Sequence, residues 1–230
     1  MRRYPVATDE MNFIAQDIAA TARETSRGSK ESFQNLEQQT SKFNVLIDSM
    51  SLTGVDAQVR NLETKWNKVE ENVVSLVNAG PLVTLFNDTS SELERSLPPI
   101  QSEFTAVVDM LRDMNVSPTT VAAAHKAIWL TERITRNMSE VLAGGEGIQS
   151  AADEFRNDVT AFENIVEALK EGNRTMGVQR LTNADALDSI NTADQMFNVV
   201  SRAVSQLDEA VADMQRAAAA RENIATANPE

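Results

Sequence analysis

Leu36, Thr40, Phe43, Ile47 and Met50 follow one another at steps of 4, 3, 4 and 3, and the same steps return at Phe155, Val159, Phe162, Val166 and Leu169. A mean spacing near 3.5 puts each set along one stripe of an α-helix, whereas a half-buried strand needs a period of 2. A helix with one such stripe must bury it against other helices. The chain is therefore expected to fold as helical bundles, and the pattern is written twice.

The duplication extends on both sides. "FIAQDIAATARETSRG", from Phe13 to Gly28, is echoed by "WLTERITRNMSEVLAGG", from Trp129 to Gly145. Ile14 and Leu130, Ile18 and Ile134, and Gly28 and Gly144 are each 116 positions apart, and past the glycine the offset becomes 119. Gly54 and Gly172 close the second stretch of each copy, as glycine often ends a helix. In the third stretch Val55, Val59, Leu62, Trp66, Val69, Val73 and Leu76 keep the alternation. At offset 131 "WNKV" becomes "FNVV", with Phe197 for Trp66 and Val200 for Val69. The 12 added residues fall in "GNRTMGVQRLTNAD", where Thr182 and Asp185 read as an N-cap and its capping-box relative.

A fourth stretch runs from Pro81 towards Met114. It is interrupted at Pro98-Pro99 and resumes with Ile100, Phe104, Val107, Leu111 and Met114. Proline lacks an amide donor and crowds the preceding turn, so a kink or break is expected there. Offset 131 carries Pro98 onto Pro229, so the second copy is expected to stop within its last helix. Ser117 and Pro118 suit the N-cap and first position of the helix between the copies. The reading is all-α: two tandem, stacked antiparallel four-helix modules, 1–115 and 116–230, the second incomplete in its last helix. Helices of roughly 20–30 residues would be about 30–45 Å long. An incomplete module leaves apolar surface for exposure or dimerisation.

Composition narrows the function. With 8 glycines, 6 prolines and 5% aromatic residues, the 230-residue chain favours helices. A net charge of −13 argues against nucleic acid, whose phosphates need clustered lysine and arginine. Without cysteine there is no disulfide, thiol catalysis or thiolate metal site. No run of about 18 apolar residues spans a membrane. "MRRYPVATDE" lacks the apolar segment of a signal peptide, so any targeting or membrane segment is expected outside this chain. No phosphate loop, nucleophile elbow or HExxH motif occurs. "AGGEG" at 143–147 lacks the lysine of a P-loop and reads as a helix-to-helix turn. Enzymatic activity, cofactors and metals are accordingly not expected.

The stretch "LTERI…VLAG…SAADEFRNDVTAFENIVEALKEGN…LTNADALDSIN" resembles the periplasmic sensor region of the PilJ-type family, the methyl-accepting chemotaxis-type receptors of type IV pili. "IAQDIAATA" resembles the opening helix of the same module, and nitrate/nitrite sensor kinases carry a relative. The resemblance implies a periplasmic region of a homodimeric inner-membrane receptor. A HAMP relay and a cytoplasmic hairpin would drive a histidine kinase controlling pilus extension, retraction and twitching, with pilin as the suspected input. Nitrate-binding relatives hold the anion with an arginine on the first helix. The matching positions here are Asn12 and Asp17, and an aspartate would repel nitrate. The second copy has Ile128 in place of Asn12 but keeps Arg133 beside Glu132.

The ligand-binding candidates are Arg133, Glu132, Trp129, Asn12 and Gln16. Arg133 can hold an anion or stack on Trp129. Its plainer role is a surface ion pair with Glu132 or Glu140, and Trp129 is then an anchor at the core edge. Trp66, on the seam, is expected in the core. His125 is the sole histidine, and Ala122 stands where a Glu-x-x-His di-iron motif needs glutamate; it reads as a partly exposed residue or a pH sensor. Glu70-Glu71 and Glu37-Gln38-Gln39 read as solvated faces rather than methylation sites. The competing reading is a structural spectrin-like repeat, suggested by "KWNKVEENVVSL". Its three-helix units with a continuous junction helix fit four stretches and an interrupting Ser117-Pro118 less well.

Overall fold

The computed structural model describes residues 3–51 and 56–227. Gly54, Val55 and Pro229, each given a role above, lie outside them. Seven α-helices follow in order: α1 (Arg3–Glu24), α2 (Lys30–Ser51), α3 (Asp56–Asn78), α4 (Gly80–Asp113), α5 (Pro118–Ala143), α6 (Ile148–Glu171) and α7 (Ala184–Thr226). A single turn of 3-10 helix, Thr25–Arg27, sits between α1 and α2. Among the described residues there is no strand; Asn173 and Val178 form an isolated antiparallel bridge. The all-α class follows directly, and no described helix is long and apolar enough to cross a membrane.

The seams are buried where the spacing puts them. Phe155, Val159, Phe162, Val166 and Leu169 are all inaccessible on α6, as are Leu36, Thr40, Phe43 and Ile47 on α2; Met50 is half-buried. Gly28 takes φ 69° and its N–H bonds Thr25 O, so it ends the first helical stretch as expected. A β-carbon on Gly28 would lie 2.9 Å from the Asn87 side chain, which adds crowding to the left-handed backbone. Gly172 likewise follows α6, with its N–H on Ala168 O at 2.8 Å.

The junction of α3 and α4 departs from a simple up-and-down count. Ala79 alone separates them, and helical bonds continue across it from Ala79 N to Ser75 O and from Val83 N to Ala79 O. The chain therefore makes no reversal there, as an antiparallel pair would need. Gly80 lets the junction approach Phe33, whose ring would be 3.1 Å from an added β-carbon.

The fourth partner of α1, α2 and α3 comes from the far end of the chain. One compact unit comprises residues 1–87, 142–145 and 212–230; the other comprises 88–141 and 146–211. Each is drawn from separated stretches of the chain. In the first unit α1 packs on α2 and α2 on α3. The last part of α7 joins them through Asn223 Nδ2 to Asn72 Oδ1 at 3.0 Å and Arg23 Nη2 to Ala225 O at 3.2 Å. In the second unit Phe104 of α4, Phe162 of α6 and Phe197 of α7 meet in the core. Phe162 stacks on Phe197 at 3.9 Å between centroids and meets Phe104 edge-on at 5.3 Å. Trp66, the counterpart of Phe197, is buried and stacks on Phe43 at 3.9 Å, as its seam position requires.

No break forms at Pro98-Pro99: α4 runs through both for 34 residues. Leu93, Leu97, Ile100 and Phe104 are fully buried on one face, while both prolines lie on the exposed face. Water can reach the carbonyls that lose their donors, and burial of the opposite stripe outweighs a proline cost of about 3 kcal/mol each.

The caps follow the sequence in one case and differ in another. Ser117 Oγ accepts from Thr120 N at 3.2 Å, with Pro118 the first residue of α5. Ser117→Ala is expected to lower stability by about 1 kcal/mol, read as a shift in the urea midpoint at constant slope. At α7 the cap is Asn183, whose Oδ1 accepts from Ala186 N at 2.8 Å, and not Thr182. Asparagine is as good an N-cap as serine and stands directly before the first helical residue, while Asp185 keeps its place in the first turn.

Candidate functional site

Trp129, Arg133 and Asn137 are spaced by four on α5 and so share a stripe. Glu154 and Asp158 are spaced by four on α6. The turn between these helices reverses the chain with positive φ at Gly144 (73°) and Gly145 (102°), confirming "AGGEG" as a connection. The two stripes meet around Arg133. Its guanidinium lies over the Trp129 ring, 4.6 Å from the centroid, in cation–π contact. Its Nη2 is 3.4 Å from Glu154 Oε2 and its Nε is 3.0 Å from Asp158 Oδ2. The Nε contact is an ion pair and not a hydrogen bond, because the Nε–H is not directed at that oxygen. Asn137 Nδ2 also donates to Asp158 Oδ2, at 3.2 Å.

Asp158 is only 4% exposed. Burial pushes its carboxyl above the ordinary value of 3.8, and Arg133 pulls it back; Glu154 raises it further, and Arg136 and Lys126 lower it. Desolvation outweighs attraction, so this carboxylate is held in place at a cost. The arrangement is a half-exposed aromatic–cation pair backed by two carboxylates, with one edge of Trp129 open to solvent at 48% exposure.

The ion pair expected with Glu132 or Glu140 is made instead with α6. Glu132 is exposed and lies about 100° round the helix from Arg133. The Glu140 carboxylate lies against Gly147, where a β-carbon would be 2.9 Å away. Trp129 is half-exposed under the guanidinium. Asn12 and Gln16 are exposed on α1 and belong to the other compact unit. His125 is exposed, and its Nε2 accepts from Arg112 Nη2 at 2.9 Å. Glu70 accepts from Asn44 Nδ2 at 2.6 Å.

Sequence reasoning missed Asn137, Glu154 and Asp158. The offsets carry a signal for them. Trp129, Arg133 and Asp158 correspond to Phe13, Asp17 and Gln39, so the first copy has an acid where the second has its cation, and an amide where the second has its acid. Phe13 is 65% exposed, and Gln39 Oε1 is buried without a hydrogen-bond partner. The cation–aromatic–carboxylate grouping is thus a property of the second copy alone.

The chain is similar to methyl-accepting chemotaxis proteins. No family model matches it. It is 29% identical over 234 residues to protein PilJ of Pseudomonas aeruginosa, covering 97% of this chain and 34% of that protein. It is 30% identical over 210 residues to AlkN of Alcanivorax borkumensis, whose name assigns it to methyl-accepting chemotaxis, covering 89% of this chain and 31% of AlkN. The chain spans about a third of the length of these relatives. It is a PilJ-like region, related to a portion of chemotaxis-type receptors.

Proposed function

We propose that this chain is the periplasmic sensing region of a chemoreceptor-like transducer that controls type IV pilus function and twitching motility. The observation that carries the reading is the match to PilJ along 97% of the chain. Type IV pilin is the partner, the working receptor is a homodimer, and a histidine kinase is reached through parts of the receptor outside this chain. The two sequence copies, 1–115 and 116–230, are a duplicated sensor module.

Both α4 and α7 supply residues to each compact unit. A displacement of roughly 1–2 Å is enough to bias a two-state relay if the partner binds one packing more tightly. Arg133 with Trp129 is the recognition surface. A spectrin-like array builds each unit from one contiguous stretch, whereas both units here combine separated stretches, which favours the sensor reading. Nitrate is not the ligand of the first copy, since Asp17 stands where an anion needs a cation.

Calorimetric titration of this chain with soluble major pilin is expected to give saturable binding in the micromolar range. Arg133→Ala should weaken it at least fivefold with unchanged far-UV dichroism. Absence of binding at 1 mM pilin, or nitrate binding that Arg133→Ala abolishes, would overturn the assignment.

A further inference from the structure

The first compact unit has a cleft of about 1070 Å³ that none of the roles above uses. Ala15 and Ile18 of α1, Phe43 of α2, Trp66 of α3 and Ile224 of α7 line it. Alanine on α1 leaves the width that a larger residue would fill. The stacked Phe43 and Trp66 rings supply an aromatic floor, and the Trp66 indole N–H is held by Asn44 Oδ1, so its polar edge is already satisfied. The hydrogen bond between Asn72 and Asn223 ties α3 to α7 beside it.

The charge at the rim is unusual for this chain. Lys65 and Lys68 both line the cleft, one turn apart on α3, and both are exposed. Among the described residues neither ammonium is within ion-pair distance of a carboxylate, although the chain as a whole carries −13. Glu71 is the one acid lining the cleft. Ile18, Phe43, Trp66 and Ile224 are each 6% exposed or less, so they form only the floor of the cleft; an apolar floor with two cations on the rim suits a molecule with an apolar body and an anionic head.

We propose that this cleft binds a small organic carboxylate, its hydrocarbon or aromatic body against Ile18, Phe43, Trp66 and Ile224 and its head between Lys65 and Lys68. The site is separate from Arg133 and lies beyond the pilin reading: cleft binding is measurable whether or not pilin docks. Occupancy bridges α1, α3 and the end of α7, and so stabilises one packing of those helices.

The test uses octanoate and 1-naphthoate, with 1-octanol and 1-naphthalenemethanol as uncharged counterparts, titrated calorimetrically into the whole chain. At least one carboxylate should saturate with Kd below 1 mM, and its alcohol should bind at least fivefold more weakly. In a Trp129→Phe background the remaining indole is Trp66, and octanoate should change its fluorescence along the same isotherm. Lys65→Gln/Lys68→Gln should weaken carboxylate binding fivefold or more without changing alcohol binding. Ala15→Leu should abolish both while dichroism stays native. No saturation by either carboxylate, equal affinity for acid and alcohol, or unchanged binding in Ala15→Leu would each overturn the proposal. If Ala15→Leu fails to fold, the lysine pair and the Trp66 signal decide it.

Discussion

Phe162→Ala is expected to destabilise the second compact unit by about 3–5 kcal/mol, the largest loss from any single side chain considered. Phe162 is fully buried, stacks on Phe197 and meets Phe104 edge-on, so three helices lose a shared contact at once. Ring removal forfeits both transfer energy and aromatic pairing, and α4, α6 and α7 cannot close the void without moving. Thermal unfolding by circular dichroism checks it: at about 2–4 °C per kcal/mol for a chain of this size, the midpoint should drop by roughly 10 °C. Phe162→Leu should recover about half. A drop under 2 °C for the alanine variant would mean the three rings are not the packing centre.

Arg133→Met is expected to cost about 2–4 kcal/mol at pH 7, because it leaves the Asp158 carboxylate buried beside Glu154 with its nearest cation gone. The pH dependence separates this from a packing defect. The folded-state pKa of Asp158 already lies above its unfolded value, so the folded state binds the proton more tightly and stability falls as pH rises through the range above 3.8. Removing Arg133 takes away the main downward pull and raises that pKa further. The penalty should therefore be largest at pH 7 and shrink as the pH falls and Asp158 takes up its proton. Arg133→Met/Asp158→Asn should restore much of the loss at pH 7 and lack this dependence. Urea unfolding of the three chains at pH 7 and pH 4 measures all of it. An equal loss at both pH values would show that Arg133 acts only through its hydrocarbon stem on Trp129.

The helical class and the seams were legible because a 4-3 alternation has one physical meaning, a stripe to be buried. The seam residues Leu36, Thr40, Phe43 and Ile47, and Phe155, Val159, Phe162, Val166 and Leu169, are buried as read. The connectivity was not. Helical bonding through Ala79 carries α3 on into α4. Local turn chemistry does not reveal that a closing helix will come from residues after 212. Pro98-Pro99 does not break α4 because both prolines face water, which the local sequence does not specify. At Arg133 the cation and its aromatic neighbour were legible as an i, i+4 pair. Their carboxylate partners were not, because Asp158 lies across the α5–α6 turn, and only comparison with Gln39 at offset 119 marks it.

The 43-residue α7 places one uninterrupted apolar stripe in the service of two cores, with Phe197 and Val200 in one and Met214 and Ile224 in the other. Each inserted or deleted residue within it would swing everything downstream by about 100°, so this helix tolerates length changes best in steps of about 7 or 11 residues, which restore the face to within about 20°. The three and twelve residues by which the copies differ fall instead at the glycine turn after α5 and in the connection before α7. Both length differences lie in joints, outside the regular turns of α7.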